Sequence, residues 1–252
     1  MATVAEVRTL LAATSVPNDR IDDLIEGSAG MWILNEPAEI LAADLAHCHP
    51  PPGDDEVRVA CRALDEGRWR VTVVGSDRPG LLARTAAVLA RSRLSVRTAG
   101  VTTWPTWAIA LQGLTVEDPA NRSWTTADWE RLGEDIKSAW RGMGDVAVDW
   151  KPEGPVRVMS SPVVTGGILV TVEAPDRIGL LWAIASWLFQ RGLNVQAAFL
   201  DEQDQRAVDT FLVDGAADID RDGLAAHLAA GEASRRRWSD RVLRRRQPST
   251  ST

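Results

Sequence analysis

Two hexapeptides contain the residues best suited to bind a small charged ligand. Residues 77–82 read Asp-Arg-Pro-Gly-Leu-Leu, and residues 176–181 read Asp-Arg-Ile-Gly-Leu-Leu, 99 positions further along the chain. Each hexapeptide lies where a β-strand pattern changes to a helical pattern. The first amides of a helix lack intrahelical partners and form the positive end of its dipole, which suits a carboxylate. Gly80 and Gly179 lack a Cβ atom and let a ligand approach the backbone closely.

We therefore predict ligand binding at both hexapeptides, with the first, which contains Pro79, as the preferred site. Each aspartate is expected to act as the N-cap of its helix, worth about 1 kcal/mol, rather than to accept a ligand's ammonium group. The predicted ligand-binding residues are Asp77, Arg78, Pro79, Gly80, Leu81, Leu82, Asp176, Arg177, Ile178, Gly179, Leu180 and Leu181. The alternative is that both hexapeptides are only strand–turn–helix connections.

The hexapeptides belong to a longer internal repeat. The same offset of 99 aligns residues 57–59 with 156–158 and residues 71–73 with 170–172. Further matches continue at this offset through the helix and the next strands, as far as about residues 114 and 213. Matches in one register across strand, turn, helix and second strand indicate that one unit has been duplicated.

Each copy predicts the element order β-α-β-β-α-β, the split βαβ plan of a ferredoxin-like domain. In the first copy the closing strand is expected at residues 145–150, whereas no convincing strand follows the last helix of the second copy. Additional strands, expected at the sheet edges, precede the copies at residues 57–60 and 156–159. The predicted fold class is α+β, with two ferredoxin-like domains in tandem and an N-terminal helical extension.

The repeat and the proline-rich stretches divide the chain into four predicted segments. Residues 1–53 form a helical extension of three short helices, which ends at the sequence Pro50-Pro51-Pro52-Gly53. Residues 54–152 and 153–236 form the two repeated domains. Residues 237–252 form a basic tail.

Composition limits the class of protein. The chain has 252 residues, 45% hydrophobic and 25% charged, as in ordinary globular proteins. It shows no apolar run of the roughly 20 residues that a membrane span needs, and its N-terminus lacks the pattern of a secretory signal. Two cysteines make no disulfide framework, and a net charge of −7 argues against broad nucleic-acid binding. We expect a cytoplasmic protein with no membrane or nucleic-acid partner.

Both repeats resemble ACT domains, small ligand-sensing modules that control amino-acid metabolism. The resemblance covers most of residues 55–235, and its specific part is the strand, the Asp-Arg-Pro-Gly-Leu-Leu hexapeptide and the helix. The second copy departs from the family pattern at Ile178, where the family usually has proline. The resemblance implies an amino-acid ligand. In the family the ligand also touches the start of the next strand in a neighbouring copy, which here corresponds to residues 96–98 and 195–197.

A closer resemblance is to the C-terminal part of the uridylyltransferase/uridylyl-removing enzymes that modify the PII nitrogen-signalling protein, which ends in two ACT domains. It is carried by Ala-Val-Asp-Thr-Phe at residues 207–211 and by residues 31–40, which are similar to the connector before the first ACT domain. The chain lacks a glycine-serine loop with paired carboxylates for nucleotidyl transfer, and it has three histidines in all. We therefore expect no enzyme activity, no catalytic residues, no metal site and no cofactor.

These observations predict a non-catalytic regulatory protein that senses a small ligand through tandem ACT domains. The resemblance suggests an amino acid such as glutamine. The bound state would be passed to a regulated protein partner or to a homo-oligomer, with the copies pairing within one chain or across a homodimer. Two alternatives remain: an enzyme or enzyme subunit related to PII uridylyltransferase, and a ligand-free dimerisation scaffold.

Overall fold

The computed structural model describes residues 2–28, 31, 36–65, 67–142, 148, 154–164, 166–203, 206–214 and 218–230. The helices within these residues are α1 (Val4–Ala12), α2 (Asn18–Gly27), α3 (Ala38–Ala46), α4 (Leu81–Arg91), α5 (Thr126–Trp140), α6 (Leu180–Gln190) and α7 (Arg221–Ala230). The strands are β1 (Val57–Ala63), β2 (Arg68–Ser76), β3 (Ser95–Trp104), β4 (Ile109–Glu117), β5 (Arg157–Pro162), β6 (Ile168–Pro175), β7 (Asn194–Phe199), β8 (Glu202–Gln203) and β9 (Arg206–Asp214). Of these helices, none combines the length and the apolar character that a bilayer span requires.

The strands form two antiparallel sheets, one in each repeat. The first sheet has the order β1-β2-β4-β3, and the second has the order β5-β6-β9-β7, with the short strand β8 paired to β9. Apolar side chains on one face of the first sheet pack against α4 and α5, and the same face of the second sheet packs against α6 and α7. The fold is therefore α+β, with one four-stranded and one five-stranded antiparallel sheet, each containing a four-stranded core compatible with a ferredoxin-like unit.

The extra strands that the sequence predicts before each copy are confirmed, and each forms one edge of its sheet. Among the described residues each unit reads β-β-α-β-β-α, with the short strand β8 added in the second unit. Strand β1 pairs with β2, and β5 pairs with β6. The β1–β2 hairpin is joined by a short turn, so it forms with little loss of loop entropy. Apart from Val148, the predicted closing strand at 145–150 lies outside the described residues.

Helices α4 and α6 are buried on nearly all sides. All residues from Leu180 to Leu188 are buried, as are those from Leu81 to Ala90 with the exception of Arg84. A helix that packs on one sheet needs only one apolar face, so this pattern requires a second covering surface. Each helix supplies it for the other: α4 packs against α6, and β3 lies beside β7. The two units consequently share one continuous hydrophobic core.

The three N-terminal helices cover the opposite face of the first sheet. They match the three short helices that the sequence predicts. Their apolar residues form a separate core with four residues of the sheet, Val74, Trp104, Ile109 and Leu111. The indole N–H of Trp104 donates to the carbonyl of Asp23 at 3.2 Å, and a Cβ atom at Gly27 would overlap the same ring. The extension is thus an integral layer of the fold.

A buried ion pair connects this layer to the sheet. Arg70 on β2 and Asp44 on α3 each expose only 1% of their side chains, and their closest N and O atoms are 2.6 Å apart. Arg70 also donates to Glu36 at 3.1 Å, and Thr72 donates to Asp44 at 2.5 Å. A Cβ atom at Gly113 would lie 2.3 Å from the Arg70 guanidinium, so glycine there leaves the space that the ion pair occupies.

Removing one partner of this pair is expected to be strongly destabilising. Asp44→Ala should lower the free energy of unfolding by about 3 to 5 kcal/mol, because it leaves a buried guanidinium without its main counter-charge. Urea unfolding measures the change. Asp22→Ala, which breaks an exposed ion pair with Arg8, is the control and should cost about 1 kcal/mol or less. A similar small cost for Asp44→Ala would show that water solvates Arg70.

Candidate functional site

The two hexapeptides form turns whose geometry corrects one prediction. Gly80 and Gly179 occupy the N-cap positions with φ angles of 85° and 97°, in the left-handed region that favours glycine. The helices therefore begin at Leu81 and Leu180, and the prediction that Asp77 and Asp176 are N-caps is wrong. Pro79 likewise precedes the helix rather than lying in its first turn. Neither aspartate caps a helix, and Asp176 instead pairs with Arg97 of the first unit.

Both turns lie at the junction between the two units, and each lines a cavity. The Asp176 cavity is bounded by the second turn and, across the junction, by Leu94, Val96 and Arg97 of the first unit. The Asp77 cavity is bounded by the first turn and, across the junction, by residues 193–195 of the second unit. The predicted residues that line these cavities are Asp77, Arg78, Gly80, Leu81, Leu82, Asp176, Arg177, Ile178, Gly179, Leu180 and Leu181.

An arginine from the first unit enters the Asp176 cavity. Arg97 donates from Nη1 to Asp176 Oδ2 at 2.9 Å, and its Nη2 contacts the carboxylate of Glu117 on β4. The guanidinium therefore joins the turn of the second unit to strand β4, a central strand of the first unit's sheet. Asp176 is therefore paired with an arginine of the protein, which occupies the position that a ligand's ammonium group would take beside this carboxylate.

The floor of the Asp176 cavity contains a buried carboxyl group. Asp209 on β9 is 4% exposed, and the part of the chain that the structure describes offers it no hydrogen-bond donor. Burial, followed by the charges of Asp176 and Asp201, raises the pKa of Asp209 well above its ordinary value. Trp182 also lines this cavity, and its indole N–H is buried without an acceptor among the described residues.

An aromatic ring, rather than an arginine, closes the Asp77 cavity. Phe189 of the second unit covers the turn, because a Cβ atom at Gly80 would lie 2.7 Å from its ring. Gln112 lines this cavity with its side-chain oxygen buried and, among the described residues, without a donor. Asp77 lies at the exposed mouth, where partial burial of its carboxyl group and then the charge of Asp214 raise its pKa.

One substitution between the copies explains why the cavities differ. At the repeat offset Phe189 corresponds to Ala90, which lines the Asp176 cavity. The smaller side chain leaves about 30 Å³ there, compared with about 20 Å³ in the Asp77 cavity. Both volumes hold only one or two water molecules. The larger cavity thus favours the second turn as the ligand site, whereas the sequence favoured the first turn because it contains Pro79.

The prediction from sequence missed the residues that distinguish the cavities. Asp209 occupies one of the alternate buried positions of β9, and Gln112 lies in β4, which is buried along nearly its whole length. A polar residue at such a position departs from binary patterning. Arg97 and Phe189 reach the cavities across the junction, and no local pattern shows this. Within the described residues, no cluster of three or more histidine, cysteine, aspartate or glutamate side chains is arranged to hold a metal ion.

Comparisons with known proteins identify no family. No protein-family model matches the chain, and no curated protein matches it in sequence. The crystal structure of aspartate kinase from Synechocystis is similar over 66% of this chain, with 14% sequence identity and a TM-score of 0.36. The match spans 27% of the kinase chain. Similarity at this level is too low to support an argument about function.

The buried carboxyl group predicts a pH-dependent effect on stability. A raised pKa in the folded protein stabilises it below the unfolded-state pKa of about 3.9, and this contribution is lost as the pH rises through the folded-state value. Asp209→Asn should therefore be more stable than the wild type near pH 8, and the difference should shrink towards about pH 4. Urea unfolding across this range measures it. A difference independent of pH would show that folding leaves the pKa of Asp209 unchanged.

Proposed function

We propose that the chain is a non-catalytic regulatory protein that binds a small amino acid in the Asp176 cavity. The observation that carries this proposal is the position of the cavity between the two units. One wall is the glycine turn of the second unit, and the other is the beginning of β3 in the first unit. A ligand in this position contacts both units, so its binding changes how they pack against each other.

The chemistry of the cavity suits a zwitterion. Helix α6 begins at its edge, and the Leu181 and Trp182 amides have no acceptor within the helix because they belong to its first turn. These amides and the positive end of the dipole would hold a carboxylate. Carboxyl groups on the opposite side, including Asp209, would receive an ammonium group. The resemblance of both repeats to ACT domains also favours an amino acid and makes glutamine the first candidate.

The size of the cavity requires it to open on binding. Its volume of about 30 Å³ admits water-sized groups, whereas a whole amino acid needs more room. Arg97 is the group that would move, since its side chain is partly exposed and bridges the two units. The free energy of opening reduces the affinity, and we expect dissociation constants in the micromolar to millimolar range for a ligand of about ten heavy atoms.

The small volume also supports a second candidate function. The closed junction would serve equally well in a scaffold whose units pair without a ligand. The two functions differ in one measurable respect: a sensor changes its stability when the ligand is added, and a scaffold does not. For a sensor, a coupling free energy of about 1 to 3 kcal/mol between the cavity and a partner-binding surface is sufficient for regulation.

A thermal-shift screen of the twenty common amino acids tests the proposal. At millimolar concentrations at least one of them should raise the unfolding midpoint of the full chain, because a ligand that binds only the folded state stabilises it. Ala90→Phe should abolish the shift, because its ring would fill the Asp176 cavity in the way that the Phe189 ring covers the turn at the Asp77 cavity. Circular dichroism without ligand checks that this variant folds. Gly80 and Gly179 are unsuitable for this test, because their positive φ angles make any substitution strained.

Phe189→Ala is the matched variant on the other side of the junction. It opens the Asp77 cavity and should leave the ligand-induced shift in place. Loss of the shift in Phe189→Ala but not in Ala90→Phe would place the ligand at the first turn. Absence of any shift in the wild type would favour the scaffold, and metal-dependent uridylyl transfer to a PII protein by the chain would contradict a non-catalytic role.

A further inference from the structure

Asp209 interrupts the apolar face of a core strand. Ala207, Phe211 and Val213 occupy the same face of β9, and all three are buried in the shared core. A carboxyl group in such a position is costly unless it is protonated, hydrogen-bonded or paired with a cation. Asp209 is 4% exposed and lines the Asp176 cavity, so its remaining accessible surface faces that space.

The arginine that reaches the cavity from the first unit is engaged elsewhere. Arg97 bonds to Asp176 at 2.9 Å and contacts Glu117, and no hydrogen bond to Asp209 occurs among the described residues. The charges closest to Asp209 are those of Asp176 and Asp201, and both are negative. Arg97 and Arg177 line the cavity together with three aspartates, Asp176, Asp201 and Asp209, so its carboxyl groups outnumber its arginines. Among the described residues Asp209 has no hydrogen-bond partner, and the cavity has room and charge for one further cation.

We infer that Asp209 anchors the primary ammonium group of the ligand. This inference rests on the proposed function and specifies the ligand class: the compound must bear a small cationic head with N–H donors. A primary ammonium group has three donors, so it can bond to Asp209 and to a second carboxylate in the cavity. The volume of about 30 Å³ suits this group, since an ammonium head is close to a water molecule in size.

The duplicated unit provides a natural comparison. At the repeat offset Asp209 corresponds to Ala110, which lines the Asp77 cavity. Gln112 is the buried polar side chain there, and its amide oxygen lacks the full charge that pairs with ammonium. The anchor is therefore present in one copy only, and the chain should bind one ammonium compound per molecule.

Methylammonium chloride is the probe that tests the anchor without requiring the natural ligand. The unfolding midpoint of the full chain is measured by calorimetry in increasing concentrations of the probe. Tetramethylammonium chloride at equal concentration is the control, because it has the same charge but no N–H donors and a larger volume. We expect methylammonium alone to raise the midpoint, by roughly 3 to 6 °C at about ten times its dissociation constant.

Two variants locate the effect. Asp209→Asn keeps the shape of the side chain, removes its charge and should abolish the methylammonium shift. Asp22→Asn removes an exposed carboxylate from the N-terminal extension and should retain the shift. Equal shifts in wild type and Asp209→Asn would place the cation elsewhere and overturn the inference, as would the absence of a shift specific to methylammonium in the wild type.

The same variant separates this inference from the proposed function. The amino acid found in the screen is added to Asp209→Asn as well. If it stabilises wild type and Asp209→Asn equally, the chain is a sensor in which Asp209 is not the anchor. If methylammonium binds at Asp209 but no amino acid shifts the wild type, the anchor is correct and the amino-acid ligand is wrong.

Discussion

The packing of α4 against α6 is the constraint on which the rest of the structure depends. Both helices are apolar around nearly their whole circumference, so the sheet of one unit is not enough to cover either of them. Pairing the two helices buries the remaining surface and brings β3 beside β7. The same packing places each glycine turn against the edge strand of the other unit. The cavities exist because hydrophobic burial forces the two units together.

The two halves share a fold but have diverged around this common junction. In the first unit the N-terminal helices cover the outer sheet face, and the buried Arg70–Asp44 pair fixes them there. At the cavities, Ala90 of the first copy corresponds to Phe189 of the second, and Asp209 has no acidic counterpart in the first copy. Duplication thus supplied two similar positions at the junction. Substitutions at a few side chains then gave the two cavities different sizes and different buried polar groups.

The sequence predicts much of the fold, because its main signals are local. Strand alternation, helical periodicity and the repeat offset place the strands and helices near their observed positions. Strands β1 and β5 were expected at the sheet edges and are found there. The capping role assigned to the aspartates failed because the left-handed glycine, three residues further on, takes the N-cap position. Contacts such as Arg97 with Asp176 depend on how the units pair, which no local pattern encodes.

Both halves of the junction are contributed by one polypeptide. A two-chain assembly of the same design would come apart on dilution and would exchange subunits between molecules. Here the linker between α5 and β5 keeps the local concentration of one half around the other high, whatever the abundance of the protein. If the chain is the proposed sensor, occupancy of the cavity would depend on the level of the small molecule alone, and a change in expression would leave the threshold of the response unaltered.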